Sequence, residues 1–183
     1  MTARERRIIY YVAVSADGFI ARSDGAVDWL DRPRKAGDYG MGEFYRSIDT
    51  VLLGRKTWEV GVSLGASHFK GKKNYVFSRK RRRFVPEVEL VKEPVGKFAR
   101  RLRGEKGKDI WLVGGGSLFA SFLDAGQVDA IRVHVIPTLI GEGIPLVAPS
   151  RRNVSLRLIS SRDFSDGVVR LDYEIDRRMN IPS

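Results

Sequence analysis

The chain contains no cysteine, which excludes disulfides, thiolate nucleophiles and Cys-ligated zinc. Histidine is nearly missing as well. His68 and His134 are the only imidazoles in 183 residues and stand far apart, which argues against a zinc enzyme. No run approaches the ~18 unbroken apolar residues of a membrane-spanning helix. Internal repeats, low-complexity stretches and Gly/Pro/Ser linkers are lacking too, so a single domain over residues 1–183 is expected, with 1–6 and 177–183 as flexible ends. Acidic residues are short relative to basic ones, 22 against 33, leaving a formal charge of +11. With 43% hydrophobic residues the chain can still bury a real core, which excludes a disordered basic tail. The charge itself fits either a nucleic-acid surface or a basic protein whose small ligand carries phosphates.

Arg4, Arg6 and Arg7, followed by apolar Ile8 to Val14 and then Ser15-Ala16, imitate a secretory leader. The run is short, carries Tyr10 and Tyr11, and leads into an Asp17-Gly18 turn, so it reads as a buried strand of a cytoplasmic protein. Further strand-like runs fall at Thr50 to Leu53, Asn74 to Phe77, Val88 to Val91, Ile110 to Val113, Ala130 to Ile136, Val154 to Ile159 and Val168 to Ile175. Helical stripes lie between them: Met41, Phe44, Tyr45 and Ile48; Val95, Phe98, Ala99 and Leu102; and Leu118, Phe119, Phe122 and Leu123, the last entered through Ser117. Alternation of strands and helices predicts an α/β domain with a mostly parallel sheet of about eight strands and helices on both faces. The turn signal Ser165-Asp166-Gly167 predicts a C-terminal antiparallel hairpin.

Two strand-to-helix junctions carry the chemistry. In Ile110-Trp111-Leu112-Val113-Gly114-Gly115-Gly116-Ser117-Leu118 a strand ends in three glycines and opens a helix, a geometry that lets a phosphate approach bare backbone N–H groups. A tight turn with closely packed glycines is the alternative. In Leu53-Gly54-Arg55-Lys56-Thr57-Trp58-Glu59 a second strand leads into a helix that Thr57 would cap, with Arg55 and Lys56 offering charge at its mouth. A capped helix with two exposed cations is the alternative there. A third feature, the stretch from Val12 to Ala21 that runs on to Trp29, reads as a lid or as a plain surface excursion.

SADGFIA, LLGRKTWE, VGGGSLF and DAIRVHVIPTLIGEGIPLV, in that order over Ile8 to Ile175, resemble the dihydrofolate reductase superfamily. The similarity is greater to its branch related to the reductase domain of bifunctional riboflavin-biosynthesis deaminase-reductases. The resemblance implies a three-layer dihydrofolate reductase-like fold, NADPH as cofactor, a small-molecule substrate and a homodimer. It implies that Ala13 and Ile20 line the nicotinamide and that Arg55 meets the adenosine 2′-phosphate. Lys56 and Thr57 would sit by the phosphates, Ser78 and Arg79 would flank the adenosine, and Gly115, Gly116, Ser117 and Leu118 would hold the pyrophosphate. Gly54 and Val113, at the ends of the two strands, complete the cofactor set.

At the substrate end, Asp38 stands in the register of the carboxylate that pairs with the pterin ring in dihydrofolate reductases. It equally suits the cap of the helix that follows. His134 lies at a substrate-facing position, where an imidazole hydrogen-bonds a substrate or relays a proton, or serves as a core histidine. Trp29 and Glu43 are further candidates for the same pocket. The loop from Ile20 to Asp38 lacks the proline-tryptophan arrangement of dihydrofolate reductases, and Pro137 to Leu146 resembles the riboflavin branch instead. That favours a reductase like the one acting on 5-amino-6-(5-phosphoribosylamino)uracil, without its deaminase partner, over dihydrofolate reductase itself. The competing class is a noncatalytic nucleic-acid-binding protein, using Arg79-Lys80-Arg81-Arg82-Arg83 and Arg100, Arg101 and Arg103. No recognition module accompanies those clusters, so specific nucleic-acid binding is not expected.

Overall fold

A computed structural model describes residues 4–33, 37–80 and 84–178. Arg81, Arg82 and Arg83 of the basic cluster lie outside them. The described residues form an eight-stranded sheet in the order β5-β4-β3-β6-β1-β7-β10-β9. Its strands are β1 (Ile8–Ser15), β3 (Ile48–Gly54), β4 (Lys73–Phe77), β5 (Val88–Val91), β6 (Asp109–Gly114), β7 (Ala130–Ile136), β9 (Leu156–Asp163) and β10 (Val169–Ile175). Every pairing from β5 across to β7 is parallel, and β10 runs antiparallel to both β7 and β9. The α/β architecture with its terminal hairpin is thus the one expected. Two short strands escape sequence reading: β2 (Phe19–Ala21) and β8 (Ile144–Pro145) pair with each other in a separate ribbon. β9 begins two residues later than its sequence pattern suggests and extends through polar residues to Asp163.

Period-two alternation explains how both sheet faces are covered. Ile8, Tyr10 and Val14 of β1 point to the face covered by α3 (Val95–Arg103) and α4 (Gly116–Asp124), where they meet Phe98, Leu102, Phe119 and Phe122. Ile9 and Tyr11 point to the opposite face, under Phe44 of α1 (Met41–Ser47) and near Trp58 of α2 (Arg55–Ser63). Tyr10 stacks on Phe119 at 3.7 Å between centroids, and Tyr11 stacks on Phe44 at 4.2 Å. Central strands buried on both sides need apolar residues at every position, which is why β1 and β6 read as unbroken hydrophobic runs.

Part of the basic excess is internal. Arg6, in the stretch expected to be a flexible end, is buried and donates to the carbonyl oxygens of Lys108 (2.7 Å) and Leu102, to Thr50 Oγ1 and to the Asp49 carboxylate. Arg103 is buried too. It donates to the Arg6 and Gln127 carbonyls and pairs with Asp129 at 2.7 Å. Arg101 is committed to Glu93 and Glu105. The Arg100, Arg101 and Arg103 cluster is therefore no continuous basic face, because its last member is turned into the protein.

Candidate active site

β3 and β6 are neighbours, so their two helix junctions open side by side at the carboxyl edge of the sheet, where such folds bind ligands. The helices begin earlier than their candidate caps. α2 starts at Arg55 with Gly54 as its cap residue, and α4 starts at Gly116 with Gly115 as its cap residue; neither has a side-chain cap. Thr57 and Ser117 thus sit inside the first turns, contrary to the expectation that they cap. The two junctions stand close together. A Cβ on Gly54 would lie 3.5 Å from the Gly114 carbonyl oxygen, and one on Gly115 would lie 3.3 Å from Thr57 Oγ1 and 3.7 Å from Ile20 Cδ1. Side chains at the cap positions would close the space between the junctions, and a Cβ on Gly114, at φ 113°, would press on the Tyr10 ring.

First-turn N–H groups have no intrahelical partner, and here none receives a capping side chain. Two uncapped positive helix ends facing one narrow space suit a pyrophosphate. Around them the structure brings together Gly54, Arg55, Thr57, Val113, Gly115, Gly116, Leu118 and Ile20, with Lys56 and Ser117 exposed at the rim. Arg55 is partly exposed and its Nη1 donates to both Glu59 carboxylate oxygens, at 2.7 and 2.6 Å. Ser78 follows β4, where its hydroxyl and the backbone of Lys80 bond reciprocally; Arg79 beside it is exposed. The helix ends, with Arg55, Lys56 and Arg79 beside them, fit a ligand that carries phosphates.

The turn after β1 is clipped rather than loose. Asp17 accepts hydrogen bonds from Ser15 Oγ (2.6 Å) and from the N–H groups of Ile140 (3.0 Å) and Gly141 (2.7 Å), which hold its carboxyl below the usual range. Leu146 N–H donates to the Gly18 carbonyl and Ala148 N–H to that of Gly116, so the strap after β7 ties the turn after β1 to the mouth of α4.

On the α1 face, β1 presents Tyr11 and then Ala13, two residues further toward the cleft. Ala13 packs with Trp29 and Tyr39 in a small cluster that includes Ile136 and Val168. Trp29 is 7% exposed, and among the described residues its indole N–H finds no acceptor. A buried donor left in this state costs about 1–3 kcal/mol. His134 of β7 is buried, with Nε2 3.2 Å from the Tyr39 carbonyl oxygen and 3.4 Å from the Tyr11 hydroxyl. Burial lowers its pKa, with Arg170 and Arg132 acting in the same direction and the Tyr39 carbonyl and Asp172 opposing them. Desolvation pushes the Tyr11 phenol up to about 12.

Asp38 is exposed and accepts from the N–H groups of Gly40 (2.9 Å) and Gly42 (2.8 Å), which lowers its pKa. It serves the start of α1 from two residues before the cap position, Gly40. Glu43 is exposed on α1. Tyr11, read in the sequence as part of a buried strand, lies in the core two residues before Ala13 and on the same strand face. Tyr39, Arg170 and Asp172 reach His134 from remote segments and leave no local signal. Among the described residues no group of three or more His, Cys, Asp or Glu side chains could hold a metal ion, and no helix is long and apolar enough to cross a membrane.

The model of the RibD C-terminal domain family matches residues 6–170. Two Bacillus subtilis (strain 168) proteins are similar over nearly their whole length. The uncharacterized protein YwjB is 39% identical over 90% of this chain and 95% of its own, and the uncharacterized protein YyaP is 34% identical over 93% and 95%. Among solved structures, a putative riboflavin biosynthesis protein from Shewanella sp. PV-4 superposes with a TM-score of 0.84 at 24% identity, covering 93% of this chain and 99% of that one. Dihydrofolate reductase from Enterococcus faecalis, solved with NADP(H), superposes with a TM-score of 0.70 at 14% identity, covering 93% and 96%. At these identities the structural likeness establishes the fold.

Proposed function

Because the chain belongs to the RibD C-terminal domain family, we propose that it is an NADPH-dependent reductase acting on a small molecule. The observation that carries this reading is the pair of uncapped helix ends facing each other across Gly54 and Gly115, with Arg55 beside them. NADPH, when bound, supplies hydride. The chain's own part is to hold the pyrophosphate on the first-turn N–H groups of α2 and α4 and to meet the 2′-phosphate with Arg55 and Lys56. Ala13 and Ile20 flank the nicotinamide, and the strap clipped by Asp17 shields the reacting face from water. Of the two substrates the family resemblance suggests, a ribosylaminopyrimidine phosphate of the riboflavin pathway stands first and dihydrofolate second. The carboxylate a pterin would need is in use at the start of α1.

Titration with NADPH and with NADH, followed by nicotinamide fluorescence, tests this reading; binding of neither overturns it. A homodimer accompanies it. The hairpin β9–β10 leaves Leu156, Leu158 and Ile159 exposed at one edge of the sheet, surface that a second copy would cover. Light scattering on the eluting protein gives the mass directly.

A further inference from the structure

The hairpin of β9 and β10 has two faces of different chemistry, because directly opposed residues of an antiparallel pair share a face. Leu156 opposes Ile175 and Leu158 opposes Tyr173, and Tyr173 and Ile175 lean on the core under α3 and α4. That face of β9 is therefore apolar, yet Leu156 and Leu158 are 42% and 52% exposed. Charge lies on the other face. There Arg157 pairs with Glu174, Ser160 Oγ donates to Asp172 at 2.8 Å, and Arg162 stands opposite Arg170. Between Leu158 and Ser160 the register shifts, and Ile159 is the extra residue of the bulge. A bulge and two arginines blunt the outer edge of β9 for strand pairing, so the surface left for a partner is the apolar face.

The same hairpin reaches the substrate end of the candidate site through Phe164, Asp166 and Val168 at its tip. Val168 is fully buried with Trp29 and Ile136, against Ala13, and Phe164 meets the Tyr39 ring edge-on at 5.1 Å between centroids. Asp166 accepts the Tyr39 hydroxyl hydrogen on its carboxylate and Arg32 Nη2 (2.6 Å) on its carbonyl oxygen. The Tyr39 carbonyl oxygen in turn lies 3.2 Å from His134 Nε2. Behind this tip the support is thin. All eight residues of β9 are exposed, and β10 is its one strand partner among the described residues. A terminal strand with no packing on either face opens easily.

We propose that the apolar face of this hairpin packs on the same face of a second copy across a two-fold axis, and that the contact holds the hairpin tip, and with it Tyr39 and the Trp29 cluster, in place. The proposal rests on the homodimer reading and names both its interface and its effect on the site. Charge selects a second copy as the partner. At +11, two copies repel each other over most of their surface. The stripe of Leu156, Leu158, Tyr173 and Ile175 is uncharged, and Arg157, Arg162 and Arg170 point to the opposite side. Asp163, which opposes Val169 on the apolar side near the tip, is opposite in sign to the excess. An apolar stripe is its own complement, as an isologous two-fold contact requires. An anionic membrane or an acidic protein would be drawn to the arginine-bearing face instead. The glycine junctions after β3 and β6 lie on the far side of β1 and β7 from the hairpin, so they stand outside the influence of the contact.

Leu158→Arg and Leu156→Arg test the proposal, since both side chains are well exposed in a single copy and an arginine there leaves its fold intact. Light scattering on the eluting protein gives the mass, and hydrogen–deuterium exchange gives the local stability. We expect a wild-type dimer that either substitution turns into a monomer. Amides of residues 156–175 and 37–40 should then exchange about tenfold faster or more, while those of 110–118 keep their wild-type rates. Arg157→Ser, on the charged face, should leave both mass and exchange at 164–168 unchanged. A wild-type monomer would overturn the homodimer reading, and the proposal with it. If both leucine variants stay dimeric, or if Arg157→Ser dissociates the protein as fully as they do, the contact lies elsewhere and the proposal alone fails. It fails as well if the monomeric variants exchange at 164–168 as slowly as the wild-type dimer, or if the acceleration spreads equally to 110–118 in both, because the contact then does not act on the tip.

Discussion

Replacing Arg55 by alanine should separate NADPH from NADH, because the two cofactors differ by the one phosphate that this side chain is proposed to meet. A hydrogen-bonded contact between a guanidinium and a phosphate contributes about 1.5–3 kcal/mol. That gain is not free-standing. Arg55 already donates to both oxygens of Glu59, and the two side chains are 24% and 31% exposed, so their pairing is worth at most about 1 kcal/mol. Sharing the guanidinium with phosphate forfeits part of that, leaving about 1–2 kcal/mol, or roughly 5- to 30-fold in affinity. NADPH should weaken by that factor in Arg55→Ala while NADH changes less than about twofold. The converse variant sharpens the test. Glu59→Gln removes a like charge from beside the phosphate and frees the guanidinium, so NADPH should bind more tightly and NADH about as before. Parallel losses for both cofactors in Arg55→Ala, or weaker NADPH binding in Glu59→Gln, would refute the placement of the 2′-phosphate.

Three further outcomes follow from geometry already described. Gly116→Ala places a Cβ 2.5 Å from the Pro145 carbonyl oxygen, so the strap must shift, and a loss of about 1–3 kcal/mol should appear as a lower urea midpoint. Arg103→Met takes the donor from the Arg6 and Gln127 carbonyls and one of three partners from Asp129, which keeps the Ile8 N–H and Arg177, and should cost about 3–5 kcal/mol, whereas Arg101→Met, on exposed pairs, should cost no more than about 1 kcal/mol. His134 has a lowered pKa when folded, so below about pH 6.5 the unfolded chain binds more protons and stability falls with acidification; His134→Gln should flatten the urea midpoint between about pH 5 and 7.

Features set by neighbours in sequence were legible, and features set by contacts across the molecule were not. Apolar runs buried on both faces marked β1 and β6, and the stripe of Val95, Phe98, Ala99 and Leu102 marked α3. The glycine junctions could be located but their caps could not. Thr57 and Ser117 are favourable cap residues in isolation, yet both helices start upstream of them, with Gly54 and Gly115 at the cap positions of two closely approaching strand ends. β2 and β8 are three and two residues long and exist only because each supplies the other's partner. Arg6 and Arg103 read as solvent-facing charge until their acceptors, about a hundred residues away, are seen. In the site itself, Asp38 kept two readings in the sequence because both need a carboxylate at that register, and geometry shows it bonded to Gly40 and Gly42. Tyr11 read as core and is core, packed with Phe44 and Trp111, and only the fold brings its hydroxyl to 3.4 Å from His134 Nε2.

The clip at Asp17 has a consequence for the order of assembly. Its acceptors lie at the start of the chain and its donors, Ile140 and Gly141, more than 120 positions later. Both glycine junctions are complete once α4 is made, whereas the strap cannot close until β7 has docked beside β1. Loop closure over so long a span is slow and comes after local structure. During synthesis the chain therefore passes through a stage with an open cradle and no cover. On the proposed reading, shielding of the nicotinamide is acquired late in folding, and it is the part of the candidate site most exposed to premature termination or to cleavage in the strap.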